Sequence, residues 1–175
     1  LRGQTILSED NYIVSPTAAT ANNIQQSGFT ANWSDVGASN YFFDLSTDNF
    51  NTFVTGFSNQ SVGNVTSLAI TGLNAGTSYQ YRVRSSDGVT ISGNSNAITV
   101  LTIPATPVVS AATDVTQTSF KINWSAVSGA TGYRLDVADD DEFTQFLTGL
   151  ENLSVSSTTQ SINVSSPGTT YYYRV

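Results

Sequence analysis

The stretch Leu73-Asn-Ala-Gly76-Thr-Ser-Tyr79-Gln-Tyr81-Arg82-Val83 decides the fold, because most of it is present twice. Gly76-Thr-Ser-Tyr79-Gln-Tyr81-Arg82-Val83 returns as Gly168-Thr-Thr-Tyr171-Tyr-Tyr173-Arg174-Val175. A second, distant stretch repeats in step with it: Phe29-Thr-Ala-Asn-Trp33-Ser34 returns as Phe120-Lys-Ile-Asn-Trp124-Ser125. The tryptophans stand 91 residues apart and the tyrosines 92. Two anchors that keep their spacing over such a distance indicate a duplicated unit. A unit of about 90 residues is a complete small domain rather than one turn of a solenoid.

Within each copy the apolar residues alternate. Phe29, Ala31 and Trp33 are separated by Thr30 and Asn32, and Tyr79, Tyr81 and Val83 by Gln80 and Arg82. Alternation puts one face of a strand on a core and the other in water, and no stretch sustains a helical period. Short strands between Gly, Asn and Ser turns predict an antiparallel sandwich. In the first unit the expected strands are A at Thr17–Ala21, B at Gly28–Ser34, C at Tyr41–Thr47, C′ at Thr52–Phe57, E at Ser67–Thr71, F at Ser78–Ser85 and G at Asn96–Leu101. In the second they are B at Ser119–Ser125, C at Tyr133–Ala138, C′ at Gln145–Gly149, E at Ser161–Val164 and F at Thr170–Val175. The expected fold class is all-β, two tandem sandwiches, the second lacking its final strand. The expected domains are 16–103 and 104–175. Residues 1–15 form a leading segment, read as the last strand of a preceding repeat because Asn11-Tyr-Ile-Val14 precedes Pro16 much as Asn96-Ala-Ile-Thr-Val100 precedes Pro104. With no initiator Met at Leu1 and a last strand cut short at Val175, the chain reads as a window from a longer array. Thr102-Ile-Pro104-Ala-Thr-Pro107 joins the units; two prolines remove two donors and fix two φ angles, so a short stiff hinge is expected.

Composition narrows the function. Hydrophobic residues are 39%, enough for a core in each unit, while charged residues are only 11% and sum to −7. No basic patch exists to neutralise phosphates, which excludes nucleic acid as a partner. No apolar run reaches the roughly 20 residues of a membrane span. The chain has no Cys, Met or His. Disulfides and thiolate metal sites are therefore ruled out, and an abundant Ser has no imidazole base.

The Trp on strand B, the Tyr opening strand C and the Leu73–Tyr79 turn into strand F together resemble the fibronectin type III domain. The resemblance covers roughly residues 16–175. It implies that Tyr79 and Tyr171 form tyrosine corners, each hydroxyl bonding back to upstream backbone. The stretches Leu45-Ser-Thr-Asp-Asn-Phe50 and Val137-Ala-Asp-Asp-Asp-Glu-Phe143 are similar to a variant found in large surface-exposed bacterial proteins, in adhesins or beside carbohydrate-active enzymes. The second copy departs from the pattern where Ser165 matches Leu73, with Val164 one residue earlier, so its corner must repack.

Candidate sites are few. Asp139-Asp140-Asp141-Glu142 is the one dense charge cluster; calcium is conceivable there, but the spacing lacks the pattern of a calcium loop and a solvated loop is the better reading. Asp44 and Asp136 occupy equivalent outward positions on strand C of separate units and cannot act together on one substrate. Lys121, the single lysine, projects from strand B away from the core. Phe42, Phe50, Phe53 and Phe57 gather near strands C and C′; core packing accounts for most of them, and an exposed subset would offer a sugar-stacking or protein-contact surface. No residue is assigned a catalytic, cofactor-binding or metal-binding role, and no cofactor is expected. The reading is a non-catalytic structural or spacer module of a secreted or cell-surface bacterial repeat protein, presenting other domains or building a fibre or adhesin. Its expected partners are neighbouring repeats or copies, with a glycan as a further candidate. The alternative is an accessory module, in contact with glycan, of a secreted carbohydrate-active enzyme.

Overall fold

A computed structural model describes residues 13–175, and the chain divides between Thr102 and Ile103 into two compact units. The expected leading strand falls mainly on residues 1–12, outside the described residues. Residues 13–15 carry no strand, and the Val14 carbonyl accepts a 2.6 Å hydrogen bond from Ser85 Oγ within the first unit.

The first unit is built from β1 (Ala18–Asn22), β2 (Phe29–Trp33), β3 (Asn40–Ser46), β4 (Gln60–Gly63), β5 (Ser67–Ile70), β6 (Ser78–Ser86) and β7 (Ile98–Leu101). One sheet runs β1-β2-β5 and the other β4-β3-β6-β7, every pairing antiparallel. This is the two-sheet arrangement that the alternating pattern predicts, with inner-face residues from both sheets meeting in a single core. Phe43 lies 6.0 Å from Trp33 and 5.6 Å from Tyr81, and Tyr81 lies 6.0 Å from Phe29. Burying each such ring contributes about 1.5–3 kcal/mol, and each aromatic pair about 0.5–1.5 kcal/mol more.

The second unit repeats the plan with β8 (Ser119–Asn123), β9 (Tyr133–Ala138), β10 (Leu153–Val155), β11 (Thr159–Asn163) and β12 (Tyr172–Arg174). Its sheets are β11-β8 and β10-β9-β12. Isolated bridges from Val109 to Trp124 and from Thr113 to Lys121 lay residues 109–113 along β8, where β1 lies along β2 in the first unit. Phe120, Ile122, Trp124, Leu135, Val137, Val155 and Ile162 form its core. Among the described residues no strand pairs with β12 on the side away from β9, the place that β7 takes beside β6. A groove of about 160 Å³ lies there, lined in part by Ala112, Phe120 and Tyr173.

One expected element is corrected in both units. The C′ strand is not Thr52–Phe57 or Gln145–Gly149; those residues turn, with a single bridge from Phe146 to Ala138 in the second unit. Val54 N–H donates to Leu45 O, Phe57 N–H donates to Val54 O, and Leu45 N–H donates to Phe57 O. Leu147 and Leu150 make the same three bonds with Val137. Gly56 and Gly149, at φ of 86° and 76°, allow that tight reversal. The strand forms only afterwards, at β4 and β10. Phe53 and Phe57, at the even spacing of one strand face, imitated a strand, but the hydrogen bonds to β3 belong to the turn. The other boundaries differ by a few residues at most; β9 coincides with Tyr133–Ala138.

Candidate functional site

The outer face of the β3–β6 pair carries the main concentration of charge in the first unit. Register places Asp44 directly opposite Arg82, with Arg84 two residues along on the same face. Arg82 Nε donates to Asp44 Oδ2 at 2.9 Å and Arg84 Nη2 at 3.1 Å, while Asn59 N–H donates to Oδ1 at 2.7 Å. The Arg82 guanidinium lies 4.2 Å above the Phe50 ring and 5.9 Å from that of Phe53. Asp44 was expected to face outward into water. It does face away from the core, yet it is 2% exposed, because two arginines and the turn before β4 cover it. The sequence signal for this was Asp44 on one strand and Arg82-Val-Arg84 on another, which only the register brings together.

The second unit rebuilds the same device. Asp136 pairs with Arg174 in register, and Arg174 Nε lies 2.7 Å from Asp136 Oδ2. Asn152 N–H donates to Asp136 Oδ1 at 2.6 Å, and Arg174 lies 4.3 Å above Phe143. Burial alone would raise the Asp136 carboxyl, but the Asn152 N–H and the Arg174 guanidinium outweigh it and hold the group below its ordinary value of 3.8. Asn59 and Asn152 both take left-handed backbone, φ 51° and 53°, to aim that N–H inward.

The acidic run is not gathered into one site. Asp140 accepts from Thr144 Oγ1 at 2.5 Å, from Thr144 N–H and from Gln145 N–H, which fixes the loop and lowers its carboxyl. Asp48 does the same for Thr52. Among the described residues no group of three or more His, Cys, Asp or Glu is placed to hold a metal ion. Lys121 pairs with exposed Asp114 at 2.6 Å. Of the clustered phenylalanines, Phe57 meets Phe43 edge-on at 6.1 Å and joins the core, while Phe50 and Phe53 lie 6.5 Å apart and carry Arg82. Tyr172 faces outward, 37% exposed, as its position between Tyr171 and Tyr173 required.

The tyrosines act as ties. Asn74 N–H donates to Tyr79 Oη at 3.0 Å, and Tyr171 Oη donates to Ser166 O at 3.3 Å, so both corners form, with opposite donors. The sequence did not indicate two further pairs. Tyr81 Oη donates to Ala19 O, and Tyr173 Oη to Ser110 O at 3.0 Å, each reaching from one sheet to the segment that leads the other, β1 in the first unit and residues 109–113 in the second. Tyr41 and Tyr133 accept from Val36 N–H and Val127 N–H at the entry to β3 and β9.

No family model and no curated protein matches the chain. Among solved structures it is similar to a two-domain fibronectin type III segment of chicken tenascin, at 18% identity, 90% of this chain, 87% of that chain and a TM-score of 0.49. It is also similar to three fibronectin type III domains of chicken CNTN1, at 17% identity, 91% of this chain, 59% of that chain and a TM-score of 0.43. A third is a fibronectin type III domain of a human protein, KIAA0970, at 16% identity, 58% of this chain, 87% of that chain and a TM-score of 0.43. The strand order itself defines the fold: all-β, with an immunoglobulin-like sandwich in each unit. Among the described residues no helix is long and apolar enough to cross a membrane.

Proposed function

We propose that this chain is a non-catalytic structural module of a secreted or cell-surface repeat protein, one that spaces and presents neighbouring domains. Its contacts in that role are with adjoining repeats or with copies of itself. One observation carries the reading: the charged and aromatic residues that the duplication preserves are spent on the framework. Asp44 and Asp136 each hold an arginine and a loop N–H, and those arginines lie on Phe50 and Phe143. A repeat that keeps its ties and varies elsewhere is what a spacer requires. The test is replacement. Exchanging residues 16–175 within the parent polypeptide for two unrelated β-sandwiches of equal length should preserve its activity and surface display. Loss of either, with the replacement folded, overturns the spacer reading.

A further inference from the structure

The two tyrosine corners differ, and a cavity lies beside the second. Leu73 N–H donates to Ser27 O at 2.9 Å, and Val164 N–H donates to Thr118 O at 2.9 Å, so Val164, not Ser165, stands where Leu73 stands. Leu73 is 8% exposed in its core, whereas Val164 is smaller and half-buried. The path from Val164 to Tyr171 is also one residue longer than that from Leu73 to Tyr79. Beside this altered corner lies a cavity of about 380 Å³, bounded by the 146–150 turn and the end of β11.

Its lining has two kinds of surface. Phe146, Leu147, Leu150, Val164 and Tyr171 supply the apolar part of the lining, the smaller part, and four of them pack against the core. Asp139, Thr148, Asn163 and Ser165 supply an exposed polar rim, and among the described residues none of these four side chains has a hydrogen-bond or ionic partner. An anion is disfavoured, because the lining holds a carboxylate and no basic side chain. A wholly apolar ligand would make no use of the amide, hydroxyl and carboxylate groups on the rim. The match is a neutral ring with one apolar face and hydroxyls around its edge, and the volume lies at the lower end of the range for small-ligand sites, roughly 300–1,000 Å³.

We infer that this cavity of the second unit is a glycan-binding subsite that takes a single neutral pyranose unit, its C–H face on Tyr171 and the 146–150 turn and its hydroxyls on Asn163, Asp139 and Ser165. The inference does not rest on the spacer reading; a module can space and still hold a sugar. The test is a titration of the isotope-labelled full chain, followed by amide signals, with the methyl pyranosides of glucose, galactose, mannose and N-acetylglucosamine. At least one should give saturable shifts confined to residues 139, 146–150 and 163–171, with a dissociation constant on the order of millimolar. Ser165→Trp, at an exposed position, should abolish those shifts while Ser156→Trp, exposed elsewhere in the unit, leaves them. Asn163→Ala should weaken them with the fold unchanged, which keeps the test decisive if the tryptophan disturbs the corner. The inference is overturned by the absence of saturable shifts with all four sugars. Unchanged shifts in both Ser165→Trp and Asn163→Ala overturn it too, as does cyclohexanol binding the cavity as tightly as any sugar.

Discussion

Arg174 Nε lies 2.7 Å from Asp136 Oδ2, the pairing that Arg82 and Asp44 make at 2.9 Å in the first unit. The two pairs share register and ring partner but differ in burial. Asp44 is 2% exposed between two arginines at 25% and 22%, whereas Asp136 is 19% and Arg174 56% exposed. Removing one partner of a buried pair strands the other, at about 3 kcal/mol, while an exposed pair contributes about 1 kcal/mol or less. Asp44→Ala should therefore destabilise the first unit several times more than Asp136→Ala destabilises the second. Urea unfolding of a fluorotryptophan-labelled chain reads each unit separately, since Trp33 and Trp124 lie one in each core. Equal losses would contradict the burial difference.

The tyrosine corners should respond unequally. In Tyr79→Phe the Asn74 N–H loses its acceptor in a part-buried setting, a cost of about 1–2 kcal/mol. In Tyr171→Phe an exposed 3.3 Å bond is lost and water replaces it, so less than about 1 kcal/mol is expected. The same unfolding experiment compares them.

Gly28 stands immediately before β2 because no side chain fits there. A Cβ at this position would lie 2.0 Å from the Ile70 carbonyl oxygen, which belongs to the backbone and cannot swing aside. Gly28→Ala should cost about 3 kcal/mol or more. The matching residue in the second copy is Ser119, which pairs with Asn163 because β11 runs one residue further than β5. Ser119→Ala should cost less than about 1 kcal/mol.

Acid should unfold the chain and mild alkali should not. The Gly37 N–H and the Tyr41 hydroxyl lower the Asp35 carboxyl, the Thr52 N–H lowers that of Asp48, and the Thr144 hydroxyl lowers that of Asp140; Asp136 is lowered as well. A group lowered in the folded state contributes stability above its ordinary value of 3.8 and loses it as pH falls through the folded value. Burial raises the hydroxyls of Tyr41 and Tyr81 above 10.0, so stability should fall again once the unfolded tyrosines ionise. With no His or Cys to titrate between, the melting temperature should be flat from about pH 5 to about pH 9. A slope near neutrality would contradict this.

How much of this the sequence carried depends on whether the signal was local. Phe29, Trp33, Tyr81 and Val83 declared their faces by alternation, and all four are buried. The Asp44 cluster was hidden because burial there comes from pairing across β3 and β6, and alternation reports only which face a residue takes. The C′ strand was misplaced for the same reason: the hydrogen bonds around Val54 and Phe57 belong to a turn that its apolar residues do not announce. The altered corner of the second unit was visible as a mismatch near Ser165, but its resolution through Val164 needed the bond to Thr118.

Trypsin-like proteases cut after lysine and arginine, and the chain has six such residues in all. The five among the described residues are Arg82, Arg84, Lys121, Arg134 and Arg174, and every one lies inside a strand: β6, β8, β9 or β12. Not one stands in a turn or in the Thr102–Pro107 linker, where a protease reaches an extended chain most easily. Arg174 is exposed on β12 one residue before Val175, but cleavage after Arg82, Arg84, Lys121 or Arg134 must wait for a sandwich to open, so the survival time of the chain in trypsin measures the stability of the fold. Resistance to proteolysis is obtained this way from strand placement alone, without a single cross-link.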